Sequence, residues 1–322
     1  MKHAYFLVAA ALVTAYSANL LGQTYPARPV RLVVPLVPGG NLDIVARAVA
    51  QRLSESLGQQ VIVENRPGAS SLVGTQHVAK SAPDGYTLLA MANTFTAVPA
   101  VIANPGYDPV KDFAGVTMTC KVAQVLVINP SLPVRSVKEL IALAKARPGE
   151  LSYASSGNGS TGHFAAELFN QKAGLKMLHV PYKGNAQAIV DIIAGQVMMM
   201  YDQVSTSSPL VRAGKLRALA VTSGTRSSLF PELPTIDEAG VRGYEAITFN
   251  GLLAPAGTPR DALSRLQREI AKIVTAPALR NNFLERGVEL TASSSPDEFT
   301  NYVRNEVLAN AKLARSAGIK TE

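Results

Sequence analysis

Two glycine-bearing turns hold the residues of this chain whose types and spacing could do chemistry. Pro38-Gly39-Gly40 separates an apolar run from an amphipathic stretch, and Gly157-Asn158-Gly159-Ser160-Thr161-Gly162 does the same further along. A glycine lacks Cβ, so the main chain can approach a ligand closely, and the first N–H groups of a helix have no partners within it. Asn41 or Asp43 is available to cap the first of these helices, and Asp43 in its first turn also suits the positive end of the helix dipole. The chemistry this suggests is capture of a small anion, a carboxylate, by two jaws.

Other chemistries have to be weighed against that one. The second turn matches GxGxxG between a strand and a helix, as a dinucleotide site requires, but no acidic residue follows about 20 positions on; Tyr182 and Lys183 occupy that region. Its glycines, hydroxyls and helix end suit an anion smaller than a pyrophosphate. Ser155, Ser156, Ser160, His163 and Asp202 are the residue types of a hydrolase triad, although Asn158 stands where a nucleophile elbow would need Gly before Ser160. A secreted serine hydrolase is therefore the rival reading. Asp202, at the carboxyl end of a strand, must be solvated, paired or used, and Lys183 could pair with it or with an anionic ligand. The four histidines, at 3, 77, 163 and 179, form no metal-binding spacing, so neither a metal nor another cofactor is expected.

Composition narrows the class. With 322 residues, 47% hydrophobic and 17% charged, the chain is globular and long enough for two cores. The net charge of +8 is scattered without basic runs, which argues against nucleic acid and for a mild field attracting anions. Residues 1–23 read as a signal peptide: Lys2 and His3, an apolar core from Ala4 to Tyr16, and small residues Ala15 and Ser17. That core is shorter than the roughly 20 residues of a spanning helix, so export is expected. Cys120 is the only cysteine, which rules out an intramolecular disulfide.

Short apolar runs alternate with helical stretches in the way of an α/β protein. Strands are expected at 30–36, 61–64 and 87–92, with helices between them, and such βα units make a parallel sheet whose ligands lie at the carboxyl ends. A turn-rich segment, Asn104 to Lys111, precedes a strand at 122–129. The pattern then restarts, with strands near 151–155, 176–180, 197–201, 217–222 and 244–254. Three helices, 259–275, 278–286 and 296–317, close the chain with no strand between them. Capping boxes at Ser136/Glu139 and Ser295/Glu298 start two of the helices. A chain that leaves one sheet, builds a second and returns implies two lobes joined by two crossings, with residues 24–123 and 248–322 forming the first lobe and 124–247 the second.

Taken in order, YPARPVRLVVPLVPGGNLDIVAR, VIVENRPGASSLVG, APDGYTLL, LSYASSGNGSTGHFAAELF, VPYKGNAQAIVDIIAGQV, LPTIDEAG and GLLAPAGTP resemble the successive motifs of the Bug (TctC-type) solute-binding receptors of tripartite tricarboxylate transporters. The resemblance spans the mature chain. It implies a two-lobed periplasmic-binding-protein (type II) fold, closing around a small carboxylate held by main-chain N–H groups, hydroxyls and waters, and a monomer that partners integral-membrane transporter subunits. It also implies first-lobe contacts at Pro38, Gly39, Gly40, Asp43, Ala69, Ser70, Asn93 and Thr94. Those of the second lobe would be Ser155, Ser156, Gly157, Gly159, Ser160, His163, Tyr182 and Asp202. Asn41-Leu42 departs from the Gly or Ala followed by Thr of many relatives, which points toward a ligand with an apolar part. A partner of a sensor kinase could use the same fold.

Overall fold

The computed structural model describes residues 25–319; the expected signal peptide lies outside the described residues. The chain opens with β1 (Val30–Val34), α1 (Asn41–Leu57), β2 (Val61–Asn65), α2 (Leu72–Ala79), β3 (Thr87–Ala92) and α3 (Thr94–Val101). β2, β1 and β3 are parallel neighbours. Their sequences are apolar on both faces because both are covered: Leu32 and Val34 pack with Val45, Val49 and Leu53 of α1, while Val33 packs with Val78 and Phe95 on the other side. Gly58, at φ 67°, ends α1 with its N–H on Ser54 O, a left-handed position where glycine is not strained.

β4 (Phe113–Ile128) then connects the two halves of the molecule. Beyond it lie α4 (Val137–Ala146), β5 (Ser152–Ser155), α5 (Thr161–Ala173), β6 (Leu178–Pro181), α6 (Asn185–Ile193), β7 (Met199–Gln203), α7 (Val204–Arg212) and β8 (Arg217–Val221). The return is made by β9 (Ile247–Pro255), α8 (Arg260–Thr275), α9 (Pro277–Leu284), β10 (Val288–Leu290) and α10 (Pro296–Ser316). β4 changes partner along its length: Phe113 to Ala123 run antiparallel to β9, and Gln124 to Ile128 run antiparallel to β7. β5, β6 and β7 form a second parallel group between α4 and α5 on one face and α6 on the other.

Three expectations are corrected. The strand expected at Val122 begins at Phe113, because the turn formers of 104–111 give way at once to alternating residues that pair with β9. The C-terminal helices are interrupted by β10, which pairs antiparallel with β4 from Val288↔Val122 to Leu290↔Cys120; three residues are too few to carry a period. α7 was not anticipated, since Ser, Thr and an internal Pro209 disguise it.

The two halves meet beside the crossing strands. Phe164 of α5 packs with Ala97 and Val101 of α3 and Ala314 of α10. Gln171 Nε2 donates to Ser316 Oγ at 3.1 Å.

Candidate ligand-binding site

At the end of β1 the chain turns through Gly39, at φ 89°, into α1, whose N-cap is Gly40 and carries no side-chain cap bond. Neither Asn41 nor Asp43 caps the helix, contrary to expectation. Asn41 is its first residue, with Nδ2 4.0 Å from Cys120 Sγ. Asp43 reaches back instead: Oδ2 accepts from Gly39 N at 3.0 Å, Arg47 Nε donates to both oxygens at 3.1 and 3.0 Å, and Asn65 Nδ2 donates to Oδ1 at 2.9 Å. Burial alone would raise the Asp43 pKa, but the hydrogen bonds from Arg47, Gly39 and Asn65 hold it below the usual carboxylate range. Asp43 therefore braces the turn and leaves the amides of Asn41, Leu42 and Asp43 with no acceptor among the described residues. Leu42 is buried in the first core, so its bulk sets helix packing and not the shape of a pocket.

The neighbouring loops complete the first jaw. Ala69 is exposed, and Ala69, Ser70 and Ser71 form a 3-10 turn with Ala69 at φ 45° and Ser71 at φ 79°. Ser71 Oγ lies 3.5 Å from Thr94 Oγ1. Asn93 is committed to the crossing strand: Nδ2 donates to Ile247 O at 3.0 Å and Oδ1 accepts from Phe249 N at 2.6 Å. Its side chain ties the tip of β3 to the hinge.

In the second jaw each glycine of the GxGxxG motif has a structural use. Gly157 and Gly159 take φ 120° and 73°. A Cβ on Gly159 would lie 2.8 Å from Val101 of α3, and one on Gly162 would lie 2.8 Å from Tyr201 O, so these positions let the loop and α5 approach their neighbours. Ser160 is the N-cap of α5, its Oγ accepting from His163 N at 3.4 Å. Ser155 is buried; its Oγ accepts from Gly157 N at 3.2 Å and lies 2.6 Å from His179 Nε2. His163 Nδ1 accepts from Gly159 N at 3.2 Å. Tyr182 donates its hydroxyl to Asp191 at 2.8 Å and its N–H to Ser155 O at 2.9 Å. Ser156 is exposed.

Asp202 is fully buried, with Asn185 Nδ2 on Oδ1 at 2.6 Å and Ser207 Oγ on Oδ2 at 2.7 Å. Burial raises its pKa despite bonds from Ser207, Gln203 N and Asn185. It thus joins the starts of α6 and α7 to β7, and both its oxygens accept from protein donors; among the described residues no ion pair joins it to Lys183. Ser160, His163 and Asp202 do not form a relay, since the hydroxyl caps a helix, the imidazole receives a glycine N–H and the carboxylate is held elsewhere. Sequence reasoning missed the supporting side chains Arg47, Asn65, His179, Asn185 and Ser207. Only the i,i+4 spacing of Asp43 and Arg47 could have been read in advance.

Residues 45–319 match the TctC family, described as the tripartite tricarboxylate transporter family receptor. The chain belongs to this family. Among solved structures, an R. palustris protein with adipate is 39% identical, with a TM-score of 0.78, covering 93% of this chain and 100% of that one. The periplasmic binding protein BugD is 33% identical, with a TM-score of 0.74 over 92% of this chain and all of that one. MatC from Rhodopseudomonas palustris with bound malate is 28% identical, with a TM-score of 0.73 over 90% of this chain and 99% of its own. The TctC-family chain shares with them the two-lobed periplasmic-binding-protein fold, and relatives of this kind are binding proteins. A cavity of about 670 Å³ between the halves is lined by residues including Asn93, Gln124, Thr161, Phe164, Tyr302 and Glu306. Of the expected contacts it includes Asn93, so it lies beside the two glycine jaws and not between them.

Proposed function

We propose that this chain is an exported periplasmic receptor that captures a small carboxylate by hinge closure and delivers it to the membrane subunits of a tripartite tricarboxylate-type transporter. Residues 1–23 direct export. The lobes are 24–123 with 248–322, and 124–247, so that one hinge lies where β4 exchanges β9 for β7. The observation that carries the reading is the pair of helix N-termini, capped by Gly40 and Ser160 on opposite lobes, in a chain 39% identical to a protein solved with adipate. Such ends attract carboxylates without choosing among them. Pro38, Gly39, Gly40, Ala69, Ser70 and Thr94 contact the ligand from one lobe, and Ser156, Gly157, the Ser160 end of α5 and Tyr182 from the other. Asp43, Asn93, Ser155, His163 and Asp202 shape those surfaces from behind. The protein acts as a monomer, without catalysis, metal or cofactor.

Purified mature protein should show a thermal upshift with at least one member of a panel containing adipate, malate, citrate, acidic amino acids and aromatic acids. Solution scattering should report compaction with the same acid. No shift across the panel, together with no acid released from natively purified protein, would overturn the reading. Turnover of ester substrates that disappears in Ser160→Ala would move it to a hydrolase.

A further inference from the structure

The glycine loop of the second lobe rests on two histidines whose rings are stacked. His163, from the first turn of α5, and His179, from β6, lie with centroids 3.8 Å apart and planes 14° from parallel. Tyr153 of β5 stacks on His179 at 5.0 Å. Each imidazole controls one glycine of the loop. His163 Nδ1 accepts the Gly159 N–H directly; His179 Nε2 is bonded to Ser155 Oγ, which accepts the Gly157 N–H and donates to Gly157 O at 3.0 Å. A ring nitrogen that accepts an N–H must be unprotonated, so His163 is neutral and carries its hydrogen on Nε2.

The surroundings favour that state. From β5 the titratable neighbour is Tyr153, and from α5 it is Glu167, whose carboxylate is bound to the Tyr153 hydroxyl and to Asn170 Nδ2. β6 supplies His179 itself, while the loop and α3 contribute Ser155, backbone and Val101. Among the described residues no ion pair includes either imidazole. Burial, then the neighbouring His179, pushes His163 down to about 3, and burial pushes His179 down to about 4. Two imidazolium rings face to face would also repel.

We propose that His163 and His179 are positioning residues that hold the carboxylate-binding loop in shape, His163 only while its ring is neutral, so that its protonation in acid loosens the loop and releases the ligand. The carboxylate part of this rests on the receptor reading above; the loop-holding part does not. The sign separates positioning from direct contact. An imidazole touching the ligand would bind a carboxylate more tightly when protonated, and affinity would rise as pH falls from 7 to 5. A positioning pair leaves affinity unchanged by the histidines over that range and weakens it only below about 4.

The test compares the intact mature protein with His163→Asn/His179→Gln and with His163→Ala. In the double variant Asn Oδ1 stands near the place of Nδ1 and the Gln amide near Nε2, so the loop bonds are kept without a titrating ring. Adipate is the probe, and its own protonation cancels in the comparison. Wild type and the double variant should bind it alike at pH 7, with wild type about fourfold weaker than the double variant at pH 2.5. His163→Ala should be weaker at pH 7 by about tenfold, the scale of one lost hydrogen bond. In ligand-free protein, NMR should show both imidazoles neutral at pH 6, and the Gly159 amide protected from exchange in wild type and the double variant but not in His163→Ala. Parallel affinity profiles for wild type and double variant down to pH 2.5 would overturn the release mechanism. Imidazoles titrating near pH 6.5 with Gly159 protection unchanged would overturn the positioning role itself. If wild type fails to bind adipate or any other acid of the panel while the NMR result stands, the receptor reading fails and the loop-holding role survives.

Discussion

Asp43 is the residue on which the first glycine turn depends, because both its oxygens accept from protein donors. Its carboxylate gathers Gly39 N–H, Arg47 and Asn65 in one place, and removing it takes the acceptor from all three. Asp43→Ala should lower stability by about 1–3 kcal/mol, the scale of hydrogen bonds to a charged group, and should weaken carboxylate binding because the glycine turn loses its anchor. Urea unfolding at pH 7 and calorimetric titration with the panel's best acid would check both; a variant as stable as the parent would show that Arg47 and solvent substitute for the brace. The residue types at both jaws were legible from the sequence. The direction in which Asp43 and Asp202 point was not, because a carboxylate at a helix start can equally cap, bind or brace, and the choice depends on Asn65, Asn185 and Ser207 arriving from elsewhere in the chain.

At the scale of elements, α5 is placed by its close approach to β7. A Cβ at Gly162 would meet Tyr201 O at 2.8 Å, and backbone on backbone cannot yield as a flexible side chain can. Gly162→Ala should therefore displace the helix start and cost about 1–3 kcal/mol, as overpacking does, even though Ala is the better helix former by about 1 kcal/mol. A thermal melt would read the net sign, and a raised midpoint would mean that α5 shifts freely. Helix boundaries with local causes were readable in advance: Ser136 and Ser295 accept from Glu139 N and Glu298 N, as their spacing implies. β10 and α7 were not, since a three-residue edge strand exists only because β4 offers it an edge, and a Ser-rich helix only because its buried face meets β4 and β7.

For the whole molecule, the contact of Phe164 with Ala97, Val101 and Ala314 joins the two lobes beside the second glycine loop, where a Cβ on Gly159 would also meet Val101. Phe164→Ala removes most of the apolar surface in that contact, whose burial is worth about 25 cal/mol per Å². The ligand-free protein should then open, giving a larger radius of gyration in solution scattering, while ligand restores the compact form at a higher concentration. An unchanged radius would mean that the crossing strands alone set the resting angle.

The sequence by itself determined the local matters: which runs are buried on both faces, where the capping boxes start helices, that two groups of strands are built in turn, although β4 joins them into one ten-stranded sheet, and that glycine turns stand at the carboxyl ends of strands. These follow from periodicity and capping, which act over a few residues. The tertiary structure decided what each polar side chain does, sending Asp43, Asn93, Ser155, His163 and Asp202 to support backbone and leaving helix amides open. Those choices follow from burial, because a polar group withdrawn from water takes whatever partner the fold brings within about 3 Å, and Asn65, His179, Asn185 and β9 are brought there from far along the chain.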